Sequence, residues 1–341
     1  MAVDGSWTDR RVLVTGGAGF IGSALVWELN RLGVDNILVV DRLGTGEKWR
    51  HLVPLRFVDY LEADELARTV EESPSKLKSI GAVFHLGACS STTETDAAFL
   101  MRNNFGYTKM LAEWALSGGR RFVYASSGAT YGGREHDLRE DLDPATLRPL
   151  NKYGFSKHMF DVYAARTGLL EHAIGIKYFN VYGPNEEHKG DMRSVVHKAF
   201  ESISRDGVVR LFKSYRAGIA DGEQTRDFIY VKDAVAMTVH LAAMEDAHGL
   251  YNVGSGTSRT WLDLANAVFA AMGRRPEIQF IEMPETLRPR YQYATCASIE
   301  RLLGSGYERP ITSLENGISD YVQTYLQPGC ALGEERNVAV V

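Results

Sequence analysis

The chain is poor in cysteine. Its three cysteines, Cys89, Cys296 and Cys330, lie far apart in 341 residues and share no paired spacing. That excludes a disulfide scaffold, disfavours a zinc site or any other metal, and points to a reducing compartment, the cytoplasm. No apolar run approaches the ~20 residues of a membrane-spanning helix. The segment Met1–Arg10 is polar and acidic, without the apolar core of a signal peptide. Positive charge is in deficit, with 38 Lys and Arg against 43 Asp and Glu and a net charge of −5. Such a surface fits neither nucleic acid nor a membrane as partner, although a cleft can be locally basic. No internal repeat or low-complexity segment is present. What remains is ordinary for a soluble protein, 45% hydrophobic and 24% charged. The length suits two domains, or one domain with a sizeable lobe.

One stretch organises the rest. Thr15-Gly16-Gly17-Ala18-Gly19-Phe20-Ile21-Gly22 follows the apolar run Arg11–Val14 and precedes the helical periodicity of Ala24, Leu25, Trp27, Leu29 and Leu32. Gly16, Gly19 and Gly22 have the spacing of one dinucleotide fingerprint; Gly17, Gly19 and Gly22 fit another. Glycine is needed because a side chain would keep a pyrophosphate from the backbone and the helix N-terminus. A bare glycine turn is commonly only structural. Here it lies between a strand and a helix, with Asp41 at the end of the next apolar run, Ile37–Val40. That context predicts a dinucleotide site.

Short apolar strands then alternate with longer helices. Strands are expected at Phe57–Tyr60, Gly81–His85, Arg121–Ala125 and Ala173–Lys177, and helices at Glu62–Glu72, Ala97–Leu116 and Lys152–Arg166. This alternation predicts an α/β fold, a Rossmann-type doubly wound parallel sheet. Past Asn180 the pattern loosens. Helices near Val195–Ser204, Asp233–Met244 and Trp261–Met272 are separated by short strands and glycine loops, which predicts a smaller C-terminal α/β substrate lobe. The expected division is residues 1–180 mainly for the dinucleotide domain and 181–327 mainly for the lobe, with the chain crossing between them. Residues 328–341 are expected to be a mobile tail.

Chemistry concentrates at Tyr153-Gly154-Phe155-Ser156-Lys157. The spacing places Tyr153 and Lys157 on one face at a helix start. A tyrosine with reference pKa of about 10 is a poor base. A neighbouring ammonium, together with a nicotinamide cation, would lower it and let the tyrosine take a proton from a substrate hydroxyl. Such a pair alone is commonly a surface feature. Upstream, however, Ser127 follows the strand Arg121–Ala125, where a hydroxyl would face the ligand crevice of an open sheet.

The glycine fingerprint, Ser127, Tyr153 and Lys157, in that order, resemble the extended short-chain dehydrogenase/reductase superfamily over nearly the whole chain. Four segments narrow this. Gly87–Glu94, Tyr178–Pro184, His188-Lys189-Gly190 and Arg290-Tyr291-Gln292 resemble the ADP-L-glycero-D-manno-heptose 6-epimerase family. The resemblance implies inversion at C6 of an ADP-heptose, a lipopolysaccharide-core precursor. A bound cofactor would oxidise the carbon transiently to a 6-keto intermediate and then reduce it again. Implied catalytic residues are Tyr153, Lys189, Lys157 and Ser127, with Lys189 as the second acid/base.

Implied cofactor contacts are Gly16, Gly19, Phe20, Ile21, Gly22, Asp41, Arg42, Lys48, Leu86, Gly87, Ala88, Cys89, Ser90 and Asn103, joined by Val181, Tyr153, Lys157 and Lys189. Asp41 alone would prefer the ribose hydroxyls of NAD, whereas Arg42 and Lys48 could hold a 2′-phosphate. The family favours NADP, with NAD as the alternative. Implied substrate contacts are Ser90, Asn180, Asp191, Lys198, Phe212, Lys213, Arg226 and Tyr291. The family's substrate histidine is displaced by one here, so either His197 or Lys198 could serve. A family lysine is replaced by Ala63, and the segment Tyr215–Gln224 is longer than the family pattern. The family forms homo-oligomers. Rival readings are a UDP-sugar 4-epimerase, which lacks the lysine of the His-Lys-Gly segment, and a non-catalytic NADP-binding protein.

Overall fold

The computed structural model describes residues 8–334. Seven strands form the main sheet: β1 (Arg11–Thr15), β2 (Ile37–Asp41), β3 (Asp59–Glu62), β4 (Ile80–His85), β5 (Arg121–Ser127), β6 (Ala173–Tyr178) and, past three lobe strands, Gly249–Val253. Those three are β7 (Asn180–Tyr182), β8 (Val209–Phe212) and β9 (Thr225–Tyr230), which makes Gly249–Val253 β10; β11 (Ser258–Thr260) and β12 (Ile278–Ile281) follow. The main sheet is wholly parallel, in the order β10-β6-β5-β4-β1-β2-β3. β2, β4 and β6 are buried along their whole length. That is why they read as continuous apolar runs: helices cover both faces.

Strand order reverses between β1 and β4. Ligands of such sheets bind outside the carboxyl ends of the strands at that reversal. Here the two strand ends nearly touch. A Cβ on Gly16, whose φ is +70°, would lie 2.7 Å from the Gly87 backbone. His85 Nδ1 is 2.6 Å from Thr15 Oγ1, and the Gly87 amide donates to that hydroxyl at 3.2 Å.

The lobe holds a three-stranded sheet, β11-β9-β7, and a two-stranded one, β12-β8. β10 returns the chain to the edge of the main sheet, beside β6. Helices Val195–Asp206 and Trp261–Ala271 lie within 1–2 residues of expectation. The long helix from Ala97 to Ser117 contains a π-helical stretch, Met101–Gly106. Residue spacing cannot reveal such an inserted residue, which turns buried Asn104 toward the site. Of the expected tail, residues 335–341 lie outside the described residues. Leu332 is fully buried, and its amide donates to Asn185 Oδ1 at 2.9 Å.

Gly22 opens the first turns of helix Phe20–Arg31 against the glycine loop. A Cβ there would sit 1.9 Å from the Gly16 carbonyl oxygen, which is backbone and cannot swing away. Gly22→Ala should therefore destabilise the fold by about 1–3 kcal/mol. Thermal unfolding of the variant tests this; an unchanged midpoint would contradict the close approach.

Candidate active site

A cleft of about 450 Å³ opens at the switch point. Its walls include Gly16, Gly19, Phe20, Ile21, Gly22, Asp41, Lys48, Leu86, Gly87, Ala88, Ser90 and Val181. A second hollow of about 220 Å³ shares Gly16, Asp41, Lys48, Gly87 and Ala88 and adds Arg42, Cys89 and Asn103. All fourteen residues expected at the glycine loop, the second strand end, the Leu86–Ser90 turn and Asn103 thus line one of two adjoining spaces. The chemistry of these walls suits a dinucleotide. Helix Phe20–Arg31 starts at Gly19 with no side-chain cap and no acidic residue in its first turn. Its orphan amides and dipole are left for an anion.

Beyond the loop, Asp41 Oδ2 accepts from the Ala18 amide at 2.8 Å, and Asp41 Oδ1 pairs with Lys48 Nζ at 2.6 Å. Arg42 spans Asn103 Oδ1 at 2.6 Å and Asp64 Oδ1 at 2.7 Å.

Ser127, Tyr153, Lys157 and Lys189 all wall the larger cleft. They come from the end of β5, the first turns of helix Lys152–Arg166 and the loop after β7. Asn151 caps that helix, accepting from the Gly154 amide at 2.7 Å, so Tyr153 sits at its start, facing the β5 end. Burial pushes the Tyr153 phenol up, and a hydrogen bond with Ser127 opposes the rise. Ser127 Oγ accepts from the Ala129 amide at 3.1 Å, which leaves its proton to donate to the phenol oxygen. Lys157 donates to the Ala125 carbonyl at 2.8 Å. Burial lowers its ammonium to about 8, against the pull of Asp161. At Tyr153 desolvation outweighs the Ser127 hydrogen bond.

Under the helix, Asp161 and Lys177 form a pair at 3.0 Å with both side chains at most 1% exposed. Tyr124 and Ser126 also donate to Asp161, at 2.9 and 2.7 Å. These donors satisfy the carboxylate, as a buried charge requires.

Lys189 faces the cleft from a tight turn kinked at Gly190. Its ammonium lies 5.1 Å from the Phe20 ring centroid. Burial lowers it, and Glu186 opposes the shift.

The expected substrate residues divide. Ser90 and Asn180 line the cleft. Arg226 lies behind it: its guanidinium is 5.5 Å from the Trp261 ring and 5.1 Å from the Tyr291 ring, and Trp261 is a cleft wall. It already donates to the Thr225 and Gln292 carbonyls at 2.8 and 2.6 Å. Trp261 Nε1 donates to Tyr291 Oη at 2.9 Å. Lys198 is exposed and donates to the Asp191 carbonyl at 2.5 Å, outside the cleft wall. His197 instead points into the core, 2.9 Å from Tyr321 Oη. Phe212 ends β8 and Lys213 follows it; neither is among the cleft walls, and Lys213 pairs with Glu282 at 2.7 Å. The long segment Tyr215–Gln224 is tied down through Arg216, which pairs with Glu135 and stacks 4.1 Å from the Tyr293 ring. Cleft walls that sequence reading passed over include Phe179, Met192, Arg193 and Trp261. Trp261 read only as the start of a helix; nothing in its spacing marks a ligand wall.

A parallel sheet with a glycine cradle at its switch point, faced by a Ser-Tyr-Lys set, is the arrangement of a dinucleotide-dependent enzyme of the short-chain type. The chain matches the NAD dependent epimerase/dehydratase family over residues 12–254 and belongs to it. Among its relatives, the ADP-L-glycero-D-manno-heptose-6-epimerase of Nitratidesulfovibrio vulgaris (strain DP4) is 50% identical over 315 residues, spanning 92% of this chain and 97% of that protein. The Fusobacterium nucleatum protein of the same name is 44% identical over 325 residues, spanning 92% and 98%. The crystal structure of Helicobacter pylori ADP-L-glycero-D-manno-heptose-6-epimerase aligns with a TM-score of 0.77 at 27% identity, over 94% of this chain and 98% of that one. Thermus thermophilus UDP-glucose 4-epimerase, in complex with NAD, aligns at 0.70 and 29% identity over 92% and 97%.

Removing the Ser127 hydroxyl removes the interaction that opposes burial at Tyr153. Ser127→Ala should therefore shift ionisation of the Tyr153 phenol to higher pH. Ultraviolet difference titration, with Tyr153→Phe as the blank, checks the direction; a shift to lower pH would contradict it.

Proposed function

We propose that the chain inverts C6 of ADP-D-glycero-D-manno-heptose to give ADP-L-glycero-D-manno-heptose, with Tyr153 and Lys189 as the two proton-handling groups. The observation that carries the reading is their shared cleft. Two ionisable groups from separate elements face one space beside the glycine cradle. The relatives named as this epimerase, at 44–50% identity over nine-tenths of the chain, support the substrate.

A carbinol carbon with no acidic neighbour cannot be inverted by proton removal. A nicotinamide dinucleotide, which the glycine cradle and the Leu86–Ser90 turn would hold, would supply the missing reversible hydride transfer at C6. The protein's part is to move the hydroxyl proton. Tyr153 takes or gives it on one side, steadied by Ser127. Lys189 does so on the other, since inversion presents the oxygen from a new direction. Burial brings the Lys189 ammonium down toward neutral pH, which suits it to exchange a proton there, while burial keeps the Tyr153 phenol in its protonated, donating form, against which the Ser127 hydrogen bond acts. Lys157 supports Tyr153 and the ribose. Gly16, Gly19 and Gly22 with the Leu86–Ser90 turn would hold the pyrophosphate, Asn180 binds the substrate, and Arg226 supports the Trp261 wall from behind.

For the cofactor we favour NADP. Lys48 offsets the Asp41 carboxylate, and Arg42 adds a second cation at the same rim, a setting suited to a 2′-phosphate. The three cysteines are free thiols, in keeping with a reducing cytoplasm. A homo-oligomer is expected from the family alone.

Lys189→Ala should cut epimerisation by about 10²–10⁴-fold while leaving the nucleotide bound. Resolving the two heptose epimers after incubation measures the first; extracting and identifying the nucleotide from the same protein measures the second. Near-normal turnover would overturn the two-group assignment. Recovery of NAD alone would overturn the cofactor choice. Efficient turnover of a UDP-hexose at C4 would favour the rival epimerase.

A further inference from the structure

The loop that carries Lys189 is fastened to the dinucleotide cradle by a histidine outside the known motifs. His51 lies on the short turn Lys48–Leu52 and has no exposed surface. One ring nitrogen, Nδ1, is 2.8 Å from the Ala18 carbonyl oxygen of the glycine loop. The other, Nε2, is 2.5 Å from Glu187 Oε1, two residues before Lys189. A carbonyl oxygen only accepts, so Nδ1 carries a proton. A bare Nε2 would then set its lone pair against those of a carboxylate. A proton must lie in that gap, and the ring is sealed from water that could supply another partner.

The groups around the gap are placed to hold that proton. The Glu187 carboxyl, raised by burial, is brought below the usual carboxylate range by the His51 hydrogen bond and charge. His188 packs edge-on at 5.0 Å between ring centroids. Burial, and then the charge of His51, hold it down to about 4, so it stays neutral. Lys48 on the same turn and Lys189 on the facing loop are the other cations nearby.

We propose that His51 and Glu187 form a protonated latch that fixes the Lys189 loop to the glycine cradle, so that both act as positioning residues for the reaction. The latch closes on Ala18 from one side, while Asp41 holds the Ala18 amide from the other. The loop has a second, uncharged tie: Asn185 Nδ2 donates to Ser23 Oγ at 3.0 Å, on the helix that begins at the cradle. Inside the loop, Glu186 accepts from the Ser194 amide and hydroxyl at 2.5 and 2.6 Å. The loop is therefore stiff in itself, and the His51 bridge sets where it stands relative to the cradle. A cofactor in the cradle and a proton donor on the loop are thereby kept in one register. This inference rests on the reading of Lys189 as an acid/base.

Glu187 is half-exposed, so its replacement should leave the fold intact. Nitrogen-15 spectra of histidine-labelled protein at neutral pH should show one histidine with both ring nitrogens protonated, and that signal should vanish in Glu187→Ala. A His51 ring with one bare nitrogen in the unsubstituted protein would overturn the latch, whatever the role of Lys189. In turnover, Glu187→Ala should lose about 10²-fold in kcat with little change in KM, because a displaced catalytic group costs rate more than binding. Glu187→Gln, which keeps a hydrogen-bonding partner for Nε2, should recover part of the loss. If Lys189→Ala is inactive while Glu187→Ala turns over normally, the latch fails and the acid/base reading stands. If Lys189→Ala is itself fully active, the acid/base reading fails and the nitrogen spectra alone decide the latch.

Discussion

Two strand ends meeting without side chains set the rest of the molecule. At the reversal of strand order, Gly16 and Gly87 come so close that a Cβ on the first would overlap the backbone of the second. Everything functional follows from that contact. It leaves a backbone-lined floor at the carboxyl ends of β1 and β4. The next helix starts over the floor with its amides unspent. Ser127 arrives from the end of β5 and Tyr153 from the helix beyond, both over the same floor. The chain's later excursion into the lobe brings Lys189, from the loop after β7, and Trp261, just after β11, to the same cleft.

Burial then sets the chemistry of the groups collected there. Tyr153 is pushed up, and Lys157 and Lys189 are pushed down. Each shift favours an uncharged side chain; it moves ionisation of the lysines toward neutral pH and that of Tyr153 away from it. Where charge must persist, it is paired. Asp161 and Lys177 answer each other between helix Lys152–Arg166 and β6, and Asp41 and Lys48 do so at the rim. The cleft thus combines reactive, desolvated groups with a supporting shell whose charges are satisfied.

Much of this is legible in residue order. Local rules specify the glycine loop between a strand and a helix, the strand-end Ser127 and the Tyr153–Lys157 spacing, and these coincide in one cleft. What spacing hides is long-range placement. Nothing near His51 indicates that it meets Glu187, 136 residues later. Trp261 reads as one more apolar helix position, yet it walls the cleft. His197 and Lys198 are neighbours in sequence and divide between core and surface because helix Val195–Asp206 buries only one face. Phe212 and Lys213, expected near the nucleotide by resemblance, stand at the end of β8 and are not among the cleft walls. Local order predicts elements and turns; tertiary packing decides which distant residues share a wall.

The central claim is that the carbinol hydrogen leaves C6 and returns to the same carbon, while Tyr153 and Lys189 move only the hydroxyl proton. Converting ADP-D-glycero-D-manno-heptose in heavy water and reading C6 by nuclear magnetic resonance tests it directly. The account predicts an inverted product with no deuterium at C6. Deuterium at that carbon after inversion would mean that the hydrogen had exchanged with solvent as a proton, and would contradict it.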